Sequence, residues 1–271
     1  MPSLQSAHPR PELLPYVRAY AQRTFTATDL TVIEPVTAQL EQVLNFELGT
    51  LPGVNHRECE VTSKVWIGGA QTFFPGHMHL LSGVESFAVF FLPPGWSQLF
   101  GVPMREVTNH IYDAFSLVGP SITALWNRLG EEILFERRVV IVEDFLLKQL
   151  VRPITQDRIA AAAIYLFRQH GAVRIAKLGH RDSLGLRQFE RLFRRETGIS
   201  PKSFARVARF QSALDAKLAH PQRSWLDIAH SFGYYDQMHM IHDFETFGRS
   251  APTQLIAEMG DVRPPALASA T

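Results

Sequence analysis

Gln188-Phe189-Glu190-Arg191-Leu192-Phe193-Arg194-Arg195-Glu196-Thr197-Gly198-Ile199-Ser200-Pro201 has a counterpart further along the chain, ending Asp236-Gln237-Met238-His239-Met240-Ile241-His242-Asp243-Phe244 and then Pro252. Phe193 and Phe244 are 51 residues apart, and so are Pro201 and Pro252. A fixed offset of this kind marks two copies of one supersecondary unit, too few for a solenoid and right for a paired module. In the second copy Trp225, Ile228, Ala229 and Phe232 fall at helical spacing. Gly233 ends that helix, because glycine accepts positive φ without a Cβ penalty. Asp236 suits the N-terminus of the next helix, whose stripe is Met240, Ile241 and Phe244. Gln237, His239 and His242 are left on its other faces, as amide and imidazole groups able to read base edges in a major groove. A helical hairpin with a solvated polar face would explain one copy; two copies at fixed spacing favour DNA.

Those residues, together with Ile228-Ala229 and Phe232-Gly233-Tyr234-Tyr235-Asp236-Gln237, resemble the DNA-binding domain of the AraC/XylS transcription regulators over about the last 115 residues. The resemblance implies seven helices, forming two helix-turn-helix units joined by one long helix. It implies that Arg187, Glu190 and Arg191 of unit one face bases, with Gln237, Met238, His239 and His242 of unit two. It also implies duplex DNA as partner, with the two recognition helices about 34 Å apart in successive major grooves. The sequence departs from the family pattern at Ser183 in the first turn, Asp182 where unit two has Phe232, Gly179 where it has Ala229, Arg249 where unit one has Gly198, and His242, where arginine is common.

The long connecting helix is expected from Pro201 to about Leu218, with Phe204, Val207, Ala208, Phe210 and Leu214 facing the core. Lys202, Arg206 and Arg209, with Arg194 and Arg195, are the candidate phosphate contacts. Charge supports this. The net +1 of the 271 residues hides a net −5 over residues 1–150, with ten Lys and Arg against fifteen Asp and Glu, and a net +6 over residues 151–271. A basic C-terminal half suits a polyanion.

The single cysteine, Cys59, excludes an intrachain disulfide and a cysteine-rich zinc site, and fits a reducing cytoplasm. No run of 18 apolar residues occurs, so no membrane partner is expected. Met1 to Arg18 lacks an apolar stretch and is not expected to be a signal peptide.

The N-terminal half reads as short strands. Val32-Ile33 ends at Pro35; Val43 to Leu48 alternates as a half-buried strand would; Lys64 to Ile67 stops at Gly68-Gly69, with Gln71 to Phe74 as a continuation; Phe87 to Leu92 suits a strand buried on both faces. Leu13 to Ala21 is expected to be a short helix. From Ser121 to Leu150 the period becomes helical, with Leu125, Leu129 and Ile133 as one stripe, Phe145, Leu146 and Leu150 as another, and a break around Arg137-Arg138 to Val142. Such helices often form a dimer interface in the resembled family, so a homodimer is a candidate assembly. Thr155 or Asp157 would cap a helix from Arg158 to His170. The expected fold class is therefore α+β: a β-rich N-terminal domain with helices, cupin-like or related, over residues 1–152; an all-α domain of two helix-turn-helix units over 153–260; and a Pro/Ala-rich tail over 261–271. Phe90-Phe91-Leu92-Pro93-Pro94-Gly95, Leu99-Phe100-Gly101-Val102-Pro103 and Glu106-Val107-Thr108-Asn109 resemble one uncharacterised domain type that precedes this DNA-binding domain in some relatives.

No nucleophile elbow, phosphate loop or Cys/His couple is present, so neither an enzyme nor a cofactor is expected. His77-Met78-His79 invites a metal reading, since residues i and i+2 share a strand face, but Pro75 and Gly76 suggest a loop and no third ligand stands at a telling distance. A metalloenzyme of cupin type with an accessory DNA-binding tail is the rival reading. The aromatics Trp66, Phe73, Phe74, Phe87, Phe90 and Trp96 are candidates to line a small-molecule pocket in the N-terminal domain, or simply to fill its core.

Overall fold

A computed structural model describes residues 3–26, 31–56, 62–150, 158–181 and 185–259. Cys59, the 151–157 connection with Thr155 and Asp157, Asp182, Ser183 and the C-terminal tail lie outside the described residues. The strands are β1 (Ser3–Ala7), β2 (Val17–Phe25), β3 (Val32–Val36), β4 (Gln42–Glu47), β5 (Gly53–His56), β6 (Val65–Gly68), β7 (Gly76–Leu80), β8 (Val84–Phe91) and β9 (Ile111–Asp113). The helices that follow or interrupt them are α1 (Gly95–Phe100), α2 (Met104–Val107), α3 (Ala114–Val118), α4 (Pro120–Glu131) and α5 (Phe135–Gln149). Seven more make the C-terminal domain: α6 (Arg158–Arg168), α7 (Ile175–Arg181), α8 (Leu186–Thr197), α9 (Pro201–Ala219), α10 (Trp225–Ser231), α11 (Gln237–Gly248) and α12 (Pro252–Glu258). The N-terminal part is β-rich with helices and the C-terminal part all-α, an α+β chain.

Two antiparallel sheets face each other, one in the order β1-β2-β8-β4-β6-β9 and the other β3-β7-β5. Strand periodicity divides the larger sheet into two surfaces. Tyr20, Leu44, Phe46, Val65, Ile67, Phe87, Val89 and Phe91 point one way and pack with Trp96, Leu99, Ile122, Leu125, Leu129, Phe135, Val142 and Leu146 of the helices. The alternate residues Ala21, Arg23, Val43, Asn45, Glu47, Trp66, Ser86, Ala88 and Phe90 point to the smaller sheet and line the cavity between the two. β4 is therefore buried along its whole length, including the polar Gln42, Asn45 and Glu47, where its alternation suggested one wet face.

Three local expectations need correction. Leu13 to Ala21 is not a helix: a turn closed by Tyr16 N–H to the Leu13 carbonyl leads straight into β2. Pro15 lacks a donor, and Val17, Tyr20 and Phe25 have better use as sheet residues. Gln71 to Phe74 does not extend β6; Gln71 makes only an isolated bridge with Gln39. The α4–α5 break falls at Glu132 to Leu134, leaving Ile133 83% exposed, while Arg137 to Val142 lies inside α5. The sequence reading puts Arg138 in that break. It is buried instead, forming a salt bridge with Glu85, donating from Nη1 to Gln22 at 2.8 Å, and donating from Nε to the carbonyls of Leu129 and Glu132 at 3.0 and 2.7 Å. A buried guanidinium is tolerable only when its charge and donors are met in this way.

The C-terminal domain is organised on α9. Phe204, Val207, Phe210 and Leu214 of α9 are buried with Phe189 and Phe193 of unit one and with Ile228, Met240 and Phe244 of unit two. The rings of Phe193 and Phe204 meet edge-on at 5.3 Å, and those of Phe210 and Phe244 at 4.9 Å. The repeat in sequence is thus two helix pairs, each driving a phenylalanine into the same long helix. Gly198 ends α8 at φ +74°, and a Cβ there would stand 2.0 Å from the Thr108 hydroxyl and 2.9 Å from the Met104 carbonyl on the N-terminal domain. Gly198→Ala is expected to cost at least about 1–2 kcal/mol from the left-handed backbone alone, read as a lowered urea midpoint. Arg249 occupies the matching place after α11 and does adopt the left-handed region, at φ 56°, with an exposed side chain that meets no such wall.

Candidate nucleic-acid interface

Helices α8 and α11 each bury one stripe and expose the other. In α8, Phe189 and Phe193 are buried, while Arg187, Glu190 and Arg191 are exposed. In α11, Met240, Phe244 and Phe247 are buried, while Gln237, Met238, His239 and His242 are exposed, Met238 at 68%. All seven residues named from the sequence therefore stand on solvent-facing helix surfaces. Asp236 caps α11 by accepting from the His239 amide at 2.8 Å, and it also meets His239 Nδ1 at 3.1 Å. The backbone hydrogen bond from His239 holds the Asp236 carboxyl below its ordinary range. His239 is thus half engaged with its own helix cap. Tyr235, 87% exposed, stands with its ring 5.8 Å from that of His239 and was not singled out from sequence. Its place just before the helix cap was the available signal.

The candidate phosphate contacts separate into two groups. Arg194, Arg195 and Lys202 are exposed, and Arg195 also pairs with Glu196 at 2.8 Å. Arg206 and Arg209 are half-buried at the joint between α9 and unit two. Arg206 donates from Nε and Nη2 to the buried Asp243 at 3.1 and 2.6 Å and lies over the Phe247 ring. Arg209 lies over the Tyr234 ring at 5.4 Å. Lys202→Ala is expected to lower the log–log salt slope of DNA binding by about 0.9, and Arg206→Ala to cost stability as well, because Arg206 holds the buried Asp243 through Nε and Nη2. Titrations of duplex DNA at several salt concentrations check this.

The cavity between the sheets encloses about 180 Å³. Trp66 and Phe90 line it. Phe87 and Trp96 do not: they lie on the opposite side of the larger sheet, in the core shared with the helices. Phe73 is half-buried in the loop after β6 and is not part of the wall, and Phe74 packs edge-on against His77. His77 and His79 belong to strand β7, not to a loop. They fall on the face opposite Met78 and Leu80, which line the cavity. Among the described residues no group of three metal-capable side chains occurs. The wall also contains Asn45 and Glu47, which the sequence reading passed over, and Met259 from the end of the C-terminal domain.

A buried polar bridge ties the two domains. Arg18 of β2 forms a salt bridge with Glu41 and reaches Asp215 of α9 at 3.5 Å. Gln211 of α9 donates to Glu41 at 2.7 Å and accepts from the Leu40 amide at 2.9 Å.

Two helix-turn-helix units on one long helix, with exposed polar residues on both second helices, define a DNA-binding protein. Residues 180–258 match a family model described as a helix-turn-helix domain. The C-terminal domain is a helix-turn-helix domain of AraC type, a DNA-binding module. Among solved structures it is similar to ToxT from Vibrio cholerae O395, at 10% identity and TM-score 0.49, covering 96% of this chain and 99% of that one. A structure of the same protein bound to (E)-4-(8-methylnaphthalen-1-yl)but-3-enoic acid matches at 10% identity and TM-score 0.48, over 94% and 99%. ToxT of strain SCE256 with bound unsaturated fatty acid matches at 10% identity and TM-score 0.49, over 86% and 96%. No curated protein sequence matches. Among the described residues no helix is long and apolar enough to cross a membrane.

Proposed function

We propose that this regulator reads two adjacent major-groove segments, one with Arg187, Glu190 and Arg191 of α8 and one with Gln237, Met238, His239 and His242 of α11. The observation that carries the reading is the exposure of all seven on helices whose apolar stripes are locked onto α9. Arg191 and Gln237 are the strongest base readers, because arginine pairs bidentately with guanine and glutamine with adenine. Arg194, Arg195 and Lys202 add phosphate contacts that set register without reading sequence. Arg191→Ala is expected to cost about 1–3 kcal/mol at one base position and to relax preference there only. Comparing duplexes selected by the parent and the variant tests it; an unchanged preference at every position removes Arg191 from the base readers.

The cavity between the sheets is the site of a small-molecule effector on this reading. It is largely apolar and supplied with a few polar groups, as effector sites are. The same strand, β4, faces the cavity through Asn45 and Glu47 and begins beside Glu41 in the bridge to α9. A ligand in the cavity would therefore be felt along β4 as far as Glu41, and directly at Met259 of the C-terminal domain. On this reading, sensing belongs to residues 1–152 and DNA reading to residues 153–260. A homodimer would form through the exposed Ile133, Leu134 and Val140 of the α4–α5 region, and sedimentation of the parent and Val140→Glu tests that. A cytoplasmic location goes with this reading.

A further inference from the structure

The chemistry of the cavity wall says more about what it takes, given that it is the effector site. Among the described residues, two of its lining residues carry charge, Arg23 and Glu47. Arg23 is already neutralised: its Nη1 donates to the buried Glu34 across the two sheets at 2.9 Å. Glu47 is 1% exposed, and among the described residues no cation forms a salt bridge with it. Its Oε1 accepts from Asn45 Nδ2 at 2.7 Å and from Trp66 Nε1 at 2.9 Å. Its Oε2 is buried and meets no protein donor. Lys64 lies close enough to act through space, but its ammonium donates to the Gly49 carbonyl at 3.0 Å. An unpaired acceptor on a buried carboxyl is costly, and each such group in a folded protein calls for an explanation.

We propose that Glu47 is a specificity-determining residue and that the cavity binds small apolar amines, with the ammonium donating to Glu47 Oε2 and the apolar body lying among Trp66, Met78, Ala88 and Phe90. A carboxylate ligand would be placed against Glu47 and would find no unneutralised cation among the described residues of the wall. A neutral alcohol could donate one hydrogen bond but would not compensate the charge. Burial pushes the Glu47 carboxyl up to about 7, so the empty cavity holds it partly protonated; an arriving ammonium leaves it ionised, and the displaced proton passes to solvent. A cavity of about 150 Å³ is enough for benzene, so this one, of about 180 Å³, suits a body of hexyl size.

Calorimetric titration of the full chain with hexylamine, hexanol and hexanoate at pH 7 decides it. The expected order is hexylamine at least about tenfold tighter than hexanoate, with hexanol between them. Glu47→Gln should remove at least about tenfold of the hexylamine affinity and leave hexanol unchanged. Ala88→Phe, which fills the cavity from β8, should abolish binding of all three. Hexanoate binding as tightly as hexylamine, with hexanol also bound, would overturn the amine assignment and leave the effector cavity standing. Failure of all three to bind would overturn the cavity reading itself. Hexylamine retained by Ala88→Phe would place the amine elsewhere on the acidic half and overturn the proposal, and the ranking in the parent chain stands even if Glu47→Gln fails to fold.

Discussion

Arg18→Ala is expected to destabilise the chain by about 3–5 kcal/mol, because it strands two buried carboxylates rather than merely deleting one contact. Glu41 and Asp215 both lie within the bridge between β2, the start of β4 and α9, and both are almost wholly buried. Arg18 also lies over the Phe167 ring of α6 at 5.1 Å, so the substitution removes packing as well. Urea unfolding measures the loss. Neutralising the acids in the same background, with Glu41→Gln and Asp215→Asn, should restore a substantial part of it, because the cost resides in uncompensated charge. A loss below about 1 kcal/mol, the range of exposed pairs, would show that water reaches the bridge and that the domains are not joined through it.

The second large effect is a pH dependence with an unusual sign for an acid. Most paired carboxylates have depressed pKa values and stabilise the fold as pH rises. Glu47 does the opposite: burial, its largest influence, raises it from 4.5 to about 7, outweighing the hydrogen bond from Trp66 and the charge of Lys64. Between those two values the folded state keeps a proton that the unfolded state has lost. Stability from this group is therefore full below about pH 4.5 and falls as pH rises toward about 7, by up to about 1.4 kcal/mol per pH unit or roughly 3 kcal/mol in all. Glu47→Gln imitates the protonated form, so the variant should be the more stable protein at pH 8 and should lose most of this slope. Unfolding curves at pH 5, 6, 7 and 8 check it. Equal slopes for parent and variant would mean that Glu47 ionises as an ordinary solvated acid.

The C-terminal domain was legible because its signals are local. The spacing of Phe193 to Pro201 repeats at Phe244 to Pro252, and both pairs carry out the same task on α9. Charge was less legible. Arg206 and Arg209 read as phosphate contacts and Arg138 as part of a helix break, and what engages them is Asp243, the Tyr234 ring and Glu85, none of which is near them in sequence. The cavity wall was half legible for a related reason. Trp66 and Phe90 were named correctly as neighbours of one space, but Phe87 and Trp96 differ from them only in which side of a sheet they occupy, and strand parity is set by a register that needs the partner strands. Asn45 and Glu47 looked like the wet face of β4 because nothing local announces the second sheet that covers them.

Selection of bound duplexes from a random pool by the purified full chain, at two salt concentrations, tests the central claim most directly. Two-unit reading predicts one enriched motif with two conserved segments about one helical turn apart, retained at the higher salt although affinity falls. Enrichment of a single short segment would mean that only one unit reads bases. Binding that disappears with salt and leaves no motif would contradict sequence-specific recognition by this protein.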